Sequence, residues 1–281
     1  MKQRLISIGV GFILLAAVLY WFDTFFLNVV FALIGGLAMF EVLRAYKINN
    51  LAFDVVFIGY VMLTVLFETT SAAVIYLLIF FAFFIVMVLR DRHYLIKESA
   101  GAFLSALTLS LGFNALLTMR AMTPYANDGR FMFFIALALG WICDTFGYFC
   151  GHAWGKKKLC PAISPNKTVA GAVGGVLGTP LVILLFFWLY SRNNAASAFY
   201  GFKSDGRQIL FVFVLGMVGA FVGIIGDLAA SYIKRECGIK DFGKIMPGHG
   251  GAMDRMDSVL FTSALSAFAF DLYFRWFVNL L

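Results

Sequence analysis

The sequence predicts an all-α integral membrane protein that crosses the bilayer about nine times. Of its 281 residues, 62% are hydrophobic and only 13% are charged, whereas soluble domains average about 45–50% apolar and about 25% charged residues. Apolar runs recur along the whole chain, and each is close to the roughly 20 residues that a helix needs to span a bilayer. None of the runs alternates as a barrel strand does, so helices are expected.

Nine apolar runs are the predicted spans. They are Leu5–Phe22, Thr24–Leu43, Leu51–Phe67, Ala72–Leu89, Ala100–Met119, Phe131–Cys150, Gly171–Tyr190, Ile209–Ile233 and Val259–Leu281. The first run follows two basic residues, as in a signal peptide. It lacks a small-residue cleavage site and a second run follows at once, so we interpret it as a retained helix.

The distribution of Lys and Arg predicts a cytoplasmic N-terminus. With that orientation, sixteen of the 22 basic residues fall in inner segments, five fall in outer segments, and Arg275 lies within the last span. The same rule explains the net charge of +7. A basic inner rim favours contact with anionic lipids, and nothing in the sequence indicates nucleic-acid binding.

We expect residues 1–120 to form an N-terminal membrane region of about five spans. Residues 121–281 are expected to form a catalytic region with cytoplasmic loops at 152–170 and 234–257.

Acidic residues within the spans are functional candidates, because a charge inside a membrane is costly. Glu41 and Asp54 lie near the ends of their spans, where we expect them to reach the interface. Asp271 precedes Arg275 by four residues, which is the spacing of an ion pair along one helix face.

Asp144 lies deeper, in the stretch WICDTFGYFCG, with Tyr148 one turn further along the same helix face. Glycines at 140, 147 and 151 would let a neighbouring helix approach closely. The alternative interpretation is a structural Asp satisfied by neighbouring hydroxyl groups.

Asp227 follows a stripe of glycines at 216, 219, 223 and 226, a face suited to close helix packing. Ser231 and Lys234 continue the face of Asp227 at steps of four and three residues. An acid, a hydroxyl and a cation in this order suit a metal–phosphate site. An ion pair between Asp227 and Lys234 is the rival interpretation, although two helical turns separate them.

The loop at 152–170 carries Ser164, Lys167 and Thr168 directly before a glycine-rich helix start. Hydroxyl groups, a lysine and a helix N-terminus are groups that bind phosphate oxygens. The lysines at 156–158 are explained equally well by the positive charge expected of a cytoplasmic loop.

The loop at 234–257 contains glycines at 248, 250 and 251, which allow backbone amides to approach a ligand. Asp254 and Asp257 follow on one helix face. Since Mg²⁺ takes one or two carboxylates together with phosphate oxygens, Asp227 and Asp254 could hold this ion jointly. The alternative is a helix-capping turn in which Asp257 and Ser258 cap the last span.

The stretch from Ser231 to Asp257 resembles the signature of the CDP-diacylglycerol synthase, or phosphatidate cytidylyltransferase, family. It fits the pattern S-x-x-K-R-x4-K-D-x-G-x-x-x-P-G-H-G-G-x-x-D-R-x-D at every fixed position. The WxxDTxGYxxG and SPNKT stretches also resemble family motifs, in the expected order. Ala170 and Ala230 depart from the pattern, since the family often has acids at these positions.

This resemblance implies transfer of the cytidylyl group of CTP to phosphatidic acid with release of pyrophosphate, at the cytoplasmic boundary of a membrane. It implies catalytic roles for Asp227, Lys234 and Asp254, and Mg²⁺ ligands among Asp144, Asp227, Asp254 and Asp257. The implied substrate-binding residues are Ser164, Lys167, Thr168, Ser231, Arg235, Lys240, Asp241, His249, Gly250, Gly251 and Arg255.

Two other functions are compatible with the sequence. One is a related CTP-dependent transferase that acts on another membrane lipid, and the other is a transporter of an anionic solute. The glycine stripes allow either packing within the chain or a homodimer.

Overall fold

The computed structural model describes residues 16–67, 81, 85, 96–122, 126–193, 197, 199, 206–243 and 250–278. Seven helices follow one another in these residues. They are α1 (Phe25–Ala45), α2 (Leu51–Phe67), α3 (Ile96–Thr118), α4 (Ala126–Trp154), α5 (Val169–Asn193), α6 (Gly206–Glu236) and α7 (Met253–Tyr273), with a π-helical turn at Phe274–Val278.

Five of these helices, α1, α3, α4, α5 and α6, are long and apolar enough to cross a membrane. The helical membrane class is therefore confirmed. The count of nine spans stays a prediction, because the predicted runs Leu5–Phe22 and Ala72–Leu89 lie mostly outside the described residues.

A β-hairpin departs from the predicted all-α chain. Strand β1 (Lys158–Cys160) pairs antiparallel with β2 (Ser164–Thr168), and Cys160 lies opposite Ser164. Pro165 is tolerated within β2 because both strands of a two-stranded sheet are edge strands, whose outer N–H positions need no partner strand. The SPNKT stretch is therefore a strand that leads directly into α5, rather than an irregular loop.

The chain forms two compact units. The first comprises residues 1–117 and 233–256, and the second comprises residues 118–232 and 257–281.

In the first unit α1 packs against α2. The side-chain amide of Asn28 donates a hydrogen bond to the carbonyl oxygen of Leu66 (3.2 Å). The hydroxyl of Ser110 in α3 donates to the buried hydroxyl of Thr64 in α2 (3.0 Å). Hydrogen bonds from polar side chains thus accompany apolar burial in this group of helices, as is common between membrane helices.

In the second unit α4 packs against α5, and small residues set the distance between them. A side chain at Gly171 would collide with the backbone of Gly147, and one at Gly175 would lie 2.8 Å from the Cys143 sulfur. The stripe on α6 is used in the same way, since Gly216 lies against Pro180 and Gly219 against Leu139. Both predictions of close helix packing from glycine spacing are confirmed.

A buried polar cluster lies at the end of α4 remote from the hairpin. The Asp128 carboxylate is fully buried and accepts hydrogen bonds from the hydroxyls of Tyr190 (2.7 Å) and Ser197 (2.6 Å). Phe131 stacks on Tyr190 with ring centroids 3.9 Å apart. The hydroxyl donors satisfy a carboxylate that would otherwise be costly to bury.

Candidate functional site

The second unit contains a cavity of about 220 Å³ among α4, the hairpin and α5. Asp144 and Tyr148 reach it from α4, as their shared helix face predicted. Asn166, Lys167 and Thr168 reach it from β2. Two of the stretches singled out by their sequence, WICDTFGYFCG and SPNKT, therefore line one cavity.

Thr168 fixes the junction between the hairpin and α5. Its side-chain oxygen accepts a hydrogen bond from the backbone N–H of Gly171 (3.1 Å), so Thr168 is the N-cap of α5. Gly171 itself lines the cavity. The positive end of the α5 dipole therefore lies at the cavity, where it favours an anion.

Lys167 forms an ion pair with Asp227 of α6. About a quarter of each side chain remains exposed, although the Lys167 Nζ atom itself is buried. The predicted phosphate ligand and the predicted metal ligand are thus held together within the second unit. A cation and a carboxylate beside a helix N-terminus suit an anionic ligand that arrives with a metal ion.

The first unit holds a second ion pair, between Lys234 at the end of α6 and Asp254 at the start of α7. The Lys234 Nζ donates to Asp254 Oδ1 (2.7 Å), and the two side chains are 10% and 4% exposed. Asp254 Oδ2 accepts from the backbone N–H groups of Phe242 (2.8 Å) and Gly251 (3.0 Å). Asp254 therefore organises the segment between the two helices.

The chain leaves α6 through a left-handed glycine. Gly238 has φ +69°, and the N–H of Ile239 donates to the carbonyl of Lys234 (2.9 Å), which is the pattern of a Schellman motif. The resulting turn starts the path back towards α7. Asp227 and Lys234 each pair with another residue, so the rival interpretation of a direct pair between them is not needed.

The capping interpretation of Asp257 and Ser258 is wrong. Helix α7 begins at Met253, so both residues lie in its second turn, and Asp254 occupies the first turn, where a negative charge is favourable. Asp257 is buried, and its Oδ1 accepts from the N–H of Ser258 (2.8 Å).

The other predicted residues differ in exposure. Ser231 is buried, and Arg235 is exposed and donates to the carbonyl of Ile239 (2.9 Å). Lys240, Asp241 and Arg255 are exposed, and Gly250 has φ +85°. His249 lies outside the described residues.

The carboxylates of the second unit are suited to a metal ion that also binds phosphate. Within the described parts of the chain, no group of three or more His, Cys, Asp or Glu side chains is assembled for a metal. Mg²⁺ needs only one or two carboxylates when a phosphate supplies further oxygens. Asp144, which lines the cavity, and Asp227, which forms an ion pair with Lys167, provide such carboxylates. The donor set of the second unit therefore fits this ion.

The expectation that Glu41 reaches the membrane interface stays a prediction, and the structure shows that its side chain lies inside the first unit. Glu41 is buried, with 3% of its surface exposed, and its carboxylate accepts a hydrogen bond from the N–H of Met253 (3.0 Å). The signal that could have identified it is the rule that an acid within a membrane helix is functional by default. Asp54 instead pairs with Arg44, and the predicted pair of Asp271 and Arg275 is confirmed at 2.8 Å.

Several known proteins that are similar to this chain share one name, phosphatidate cytidylyltransferase. The chain is 36% identical over 157 residues to the phosphatidate cytidylyltransferase of Haemophilus influenzae, and 32% identical over 180 residues to that of Staphylococcus haemolyticus. These matches cover 55% and 63% of this chain, and the chain spans only 50% and 61% of those relatives. The phosphatidate cytidylyltransferase of Bacillus subtilis is 29% identical over 287 residues, which cover 97% of this chain and 98% of that protein.

The sequence pattern of one protein family extends over nearly the whole chain. It matches residues 2–273, from the first predicted span to the end of α7, and thus includes the cavity and both ion pairs. The chain belongs to the cytidylyltransferase family.

Proposed function

We propose that this protein transfers the cytidylyl group of CTP to phosphatidic acid and forms CDP-diacylglycerol and pyrophosphate. Family membership and the names of the relatives support this reaction. The observation that carries the proposal is the cavity of the second unit, where Asp144, Lys167 and the N-terminus of α5 offer the charges that a nucleoside triphosphate needs.

In the proposed reaction a phosphate monoester oxygen of phosphatidic acid attacks the α-phosphorus of CTP. A new P–O bond forms, the bond from the α-phosphorus to the oxygen that bridges to the β-phosphate breaks, and pyrophosphate leaves. The nucleophile is already ionised near neutral pH, so no side chain has to remove a proton. Catalysis then depends on positioning the two phosphates and on neutralising their charge.

The residues of the second unit would bind part of the phosphate chain. Lys167 and the amides at the start of α5 would bind phosphate oxygens, with Ser164 and Thr168 beside them. Asp144 and Asp227 would hold Mg²⁺, which would supply positive charge to the phosphate oxygens. The predicted joint coordination by Asp227 and Asp254, with Asp257 in support, stays a prediction.

In the first unit, Lys234 and Asp254 would act as catalytic residues, as the family resemblance implies. Arg235 and Arg255 are exposed at the two helix ends and would bind phosphate groups. The remaining predicted substrate ligands, Ser231, Lys240, Asp241, His249, Gly250 and Gly251, belong to the same signature stretch.

The proposed topology has nine spans with the N-terminus in the cytoplasm. The site would then face the cytoplasm, from which CTP arrives, while phosphatidic acid keeps its acyl chains in the leaflet. In a bacterium the membrane would be the plasma or inner membrane. The positive-inside distribution of Lys and Arg supports this orientation.

The test is pyrophosphate release from CTP by the purified protein in detergent micelles. We expect release only when phosphatidic acid and Mg²⁺ are both present, with CDP-diacylglycerol as the lipid product. Release with a polyprenol phosphate or an ether lipid, and none with phosphatidic acid, would favour the related transferase. Uptake of an anionic solute into liposomes without CTP, together with no pyrophosphate release, would favour the transporter.

A further inference from the structure

Among the described residues of the first unit, Glu41 is a deeply buried carboxylate that the proposed mechanism does not use. It lies in α1, which is an apolar helix, and it is 212 residues away in sequence from its hydrogen-bond partner Met253. A buried carboxylate in such a helix is costly unless its charge is compensated. The N-terminus of α7 compensates this charge in part, because the N–H of Met253 donates to Oε2 and the helix dipole favours a negative charge.

Two glycines between α6 and α7, Gly243 and Gly251, lie directly against this carboxylate. An added side-chain carbon at Gly243 or at Gly251 would collide with the carboxylate oxygens of Glu41. Only glycine permits the backbone to approach so closely at these two positions. The contact explains why Gly243 and Gly251 are both glycine, although Gly243 has no special backbone angle.

Glu41 and Asp254 hold neighbouring points of the same backbone. Glu41 accepts from the N–H of Met253, and Asp254 accepts from the N–H groups of Gly251 and Phe242. Asp254 in turn binds Lys234 at 2.7 Å. A shift of the backbone at residues 251–253 would therefore displace the Asp254 carboxylate and its lysine.

We propose that Glu41 is a positioning residue, whose buried carboxylate fixes the backbone at Gly251 and Met253 and thereby sets the position of the Lys234–Asp254 ion pair. Glu41 touches no substrate in this role and acts through the signature residues. The proposal rests on the proposed function for its effect on turnover, while its effect on the backbone is independent of any activity.

The test compares Glu41→Ala with Glu41→Gln and with Asp128→Ala. Asp128 is a similarly buried carboxylate of the second unit that accepts hydrogen bonds from two hydroxyl groups, so it controls for general destabilisation. We expect Glu41→Ala to lower kcat about 100-fold, as small misplacements of reacting groups do, and to change KM for CTP less than about threefold. Glu41→Gln keeps an acceptor oxygen and should stay within about fivefold of the wild-type kcat. Asp128→Ala should lower the melting temperature but not the kcat of the folded fraction.

Hydrogen exchange followed by mass spectrometry tests the same proposal without activity. Peptides that contain residues 250–254 should exchange faster in Glu41→Ala than in the wild type and in Asp128→Ala. A double variant adds a steric check, because Gly251→Ala should impair turnover less in the Glu41→Ala background, where the added methyl group has room.

Unchanged exchange at residues 250–254 in Glu41→Ala would overturn the proposal, and so would a Glu41→Gln variant as impaired as Glu41→Ala. An equal loss of kcat in Asp128→Ala would also overturn it, since the effect would then be general. A wild-type protein that releases no pyrophosphate would refute the proposed function alone, because the exchange measurement would still report on Glu41.

Discussion

At the scale of single residues, charge pairing decides which side chains can bind a ligand. The side chains of the Lys167–Asp227 pair are each about a quarter exposed, whereas those of the Lys234–Asp254 pair are almost completely buried. An incoming phosphate or metal ion can compete for a partly exposed pair at lower cost than for a buried one. Removing one partner of a buried pair costs about 3–5 kcal/mol. Substitutions at the partly exposed Lys167–Asp227 pair should therefore change ligand binding with less effect on folding than substitutions at the buried Lys234–Asp254 pair.

Asp227→Asn should abolish most cytidylyl transfer while the protein still folds. The substitution removes the negative charge that would hold Mg²⁺ and leaves a polar group of the same size, so we expect turnover to fall about 100-fold or more. Asp271→Asn is the matched control, because it breaks an exposed ion pair on α7. Turnover of the two variants is measured with titrated Mg²⁺, and near-normal turnover of Asp227→Asn would contradict its role as a metal ligand.

Lys167→Ala and Lys158→Ala compare two lysines of one hairpin. Lys167 lines the cavity, whereas Lys158 is exposed on β1. We expect Lys167→Ala to lower kcat/KM for CTP about tenfold or more, since it removes a charge-assisted phosphate contact worth roughly 1.5–3 kcal/mol. Lys158→Ala should change kcat/KM less than about twofold. Equal losses would mean that the general positive charge of the loop, and not the cavity, governs CTP binding.

At the scale of elements, the C-terminal ends of α1 and α6 each require one residue in the left-handed backbone conformation. Helix α1 ends with Lys47 at φ 59°, and the N–H of Ile48 donates to the carbonyl of Leu43 (2.9 Å). Helix α6 ends in the same motif with Gly238 at φ +69°. The same C-terminal turn is thus made once by a glycine and once by a residue for which the left-handed conformation is unfavourable.

Lys47→Gly should stabilise the protein. Lys47 is exposed, and a glycine removes the clash of Cβ with the backbone, which costs about 1 kcal/mol in the left-handed region. We expect a small rise in the melting temperature of the detergent-solubilised protein. Gly238→Lys, the reverse change at the equivalent position, should lower it. A lower melting temperature for Lys47→Gly would show that the lysine side chain makes a stabilising contact that outweighs its backbone strain.

Gly216→Ala and Gly59→Ala test the packing role of membrane-helix glycines. A side-chain carbon at Gly216 would lie 2.5 Å from the Cα of Pro180, so the helices must separate, and overpacking of this kind costs about 1–3 kcal/mol. In the part of the chain that the structure describes, no atom beyond the neighbouring residues and the backbone of the same helix lies within 4 Å of a carbon placed at Gly59, so that change should leave stability unchanged or raise it by up to about 1 kcal/mol. Thermal unfolding in detergent measures both. Equal stability of the two variants would contradict the close approach of α5 and α6.

At the scale of the whole molecule, the glycine faces are used within the chain. The stripe on α6 lies against Pro180, Leu139 and Thr262, which all belong to the second unit. This face is therefore occupied, and the possible homodimer stays a prediction that the stripe does not support. The nine-span topology likewise stays a prediction, which is supported by the apolar runs and by the distribution of Lys and Arg in the sequence rather than by the described helices.

Labelling of single cysteines tests the orientation. Lys158→Cys on the hairpin and Arg192→Cys at the far end of α5 are placed in a protein without its four native cysteines. Because α5 is long enough to span, the two positions should lie on opposite sides of the membrane. We expect a membrane-impermeant maleimide to label only Arg192→Cys in right-side-out vesicles. Labelling of both positions, or of Lys158→Cys alone, would contradict the proposed orientation.

The sequence by itself determined the helical membrane class and the positions of five helices that are long and apolar enough to span, because long apolar runs can satisfy their backbone hydrogen bonds in a bilayer only as helices. It also identified the motifs and the ion pair of Asp271 with Arg275, which depend on local spacing. Only the tertiary structure decided that Lys167 pairs with Asp227, that Lys234 pairs with Asp254, and that Glu41 is buried against Met253. These contacts join residues 20 to 212 positions apart, and no helical period or local charge pattern can specify which distant partner a buried charge will find.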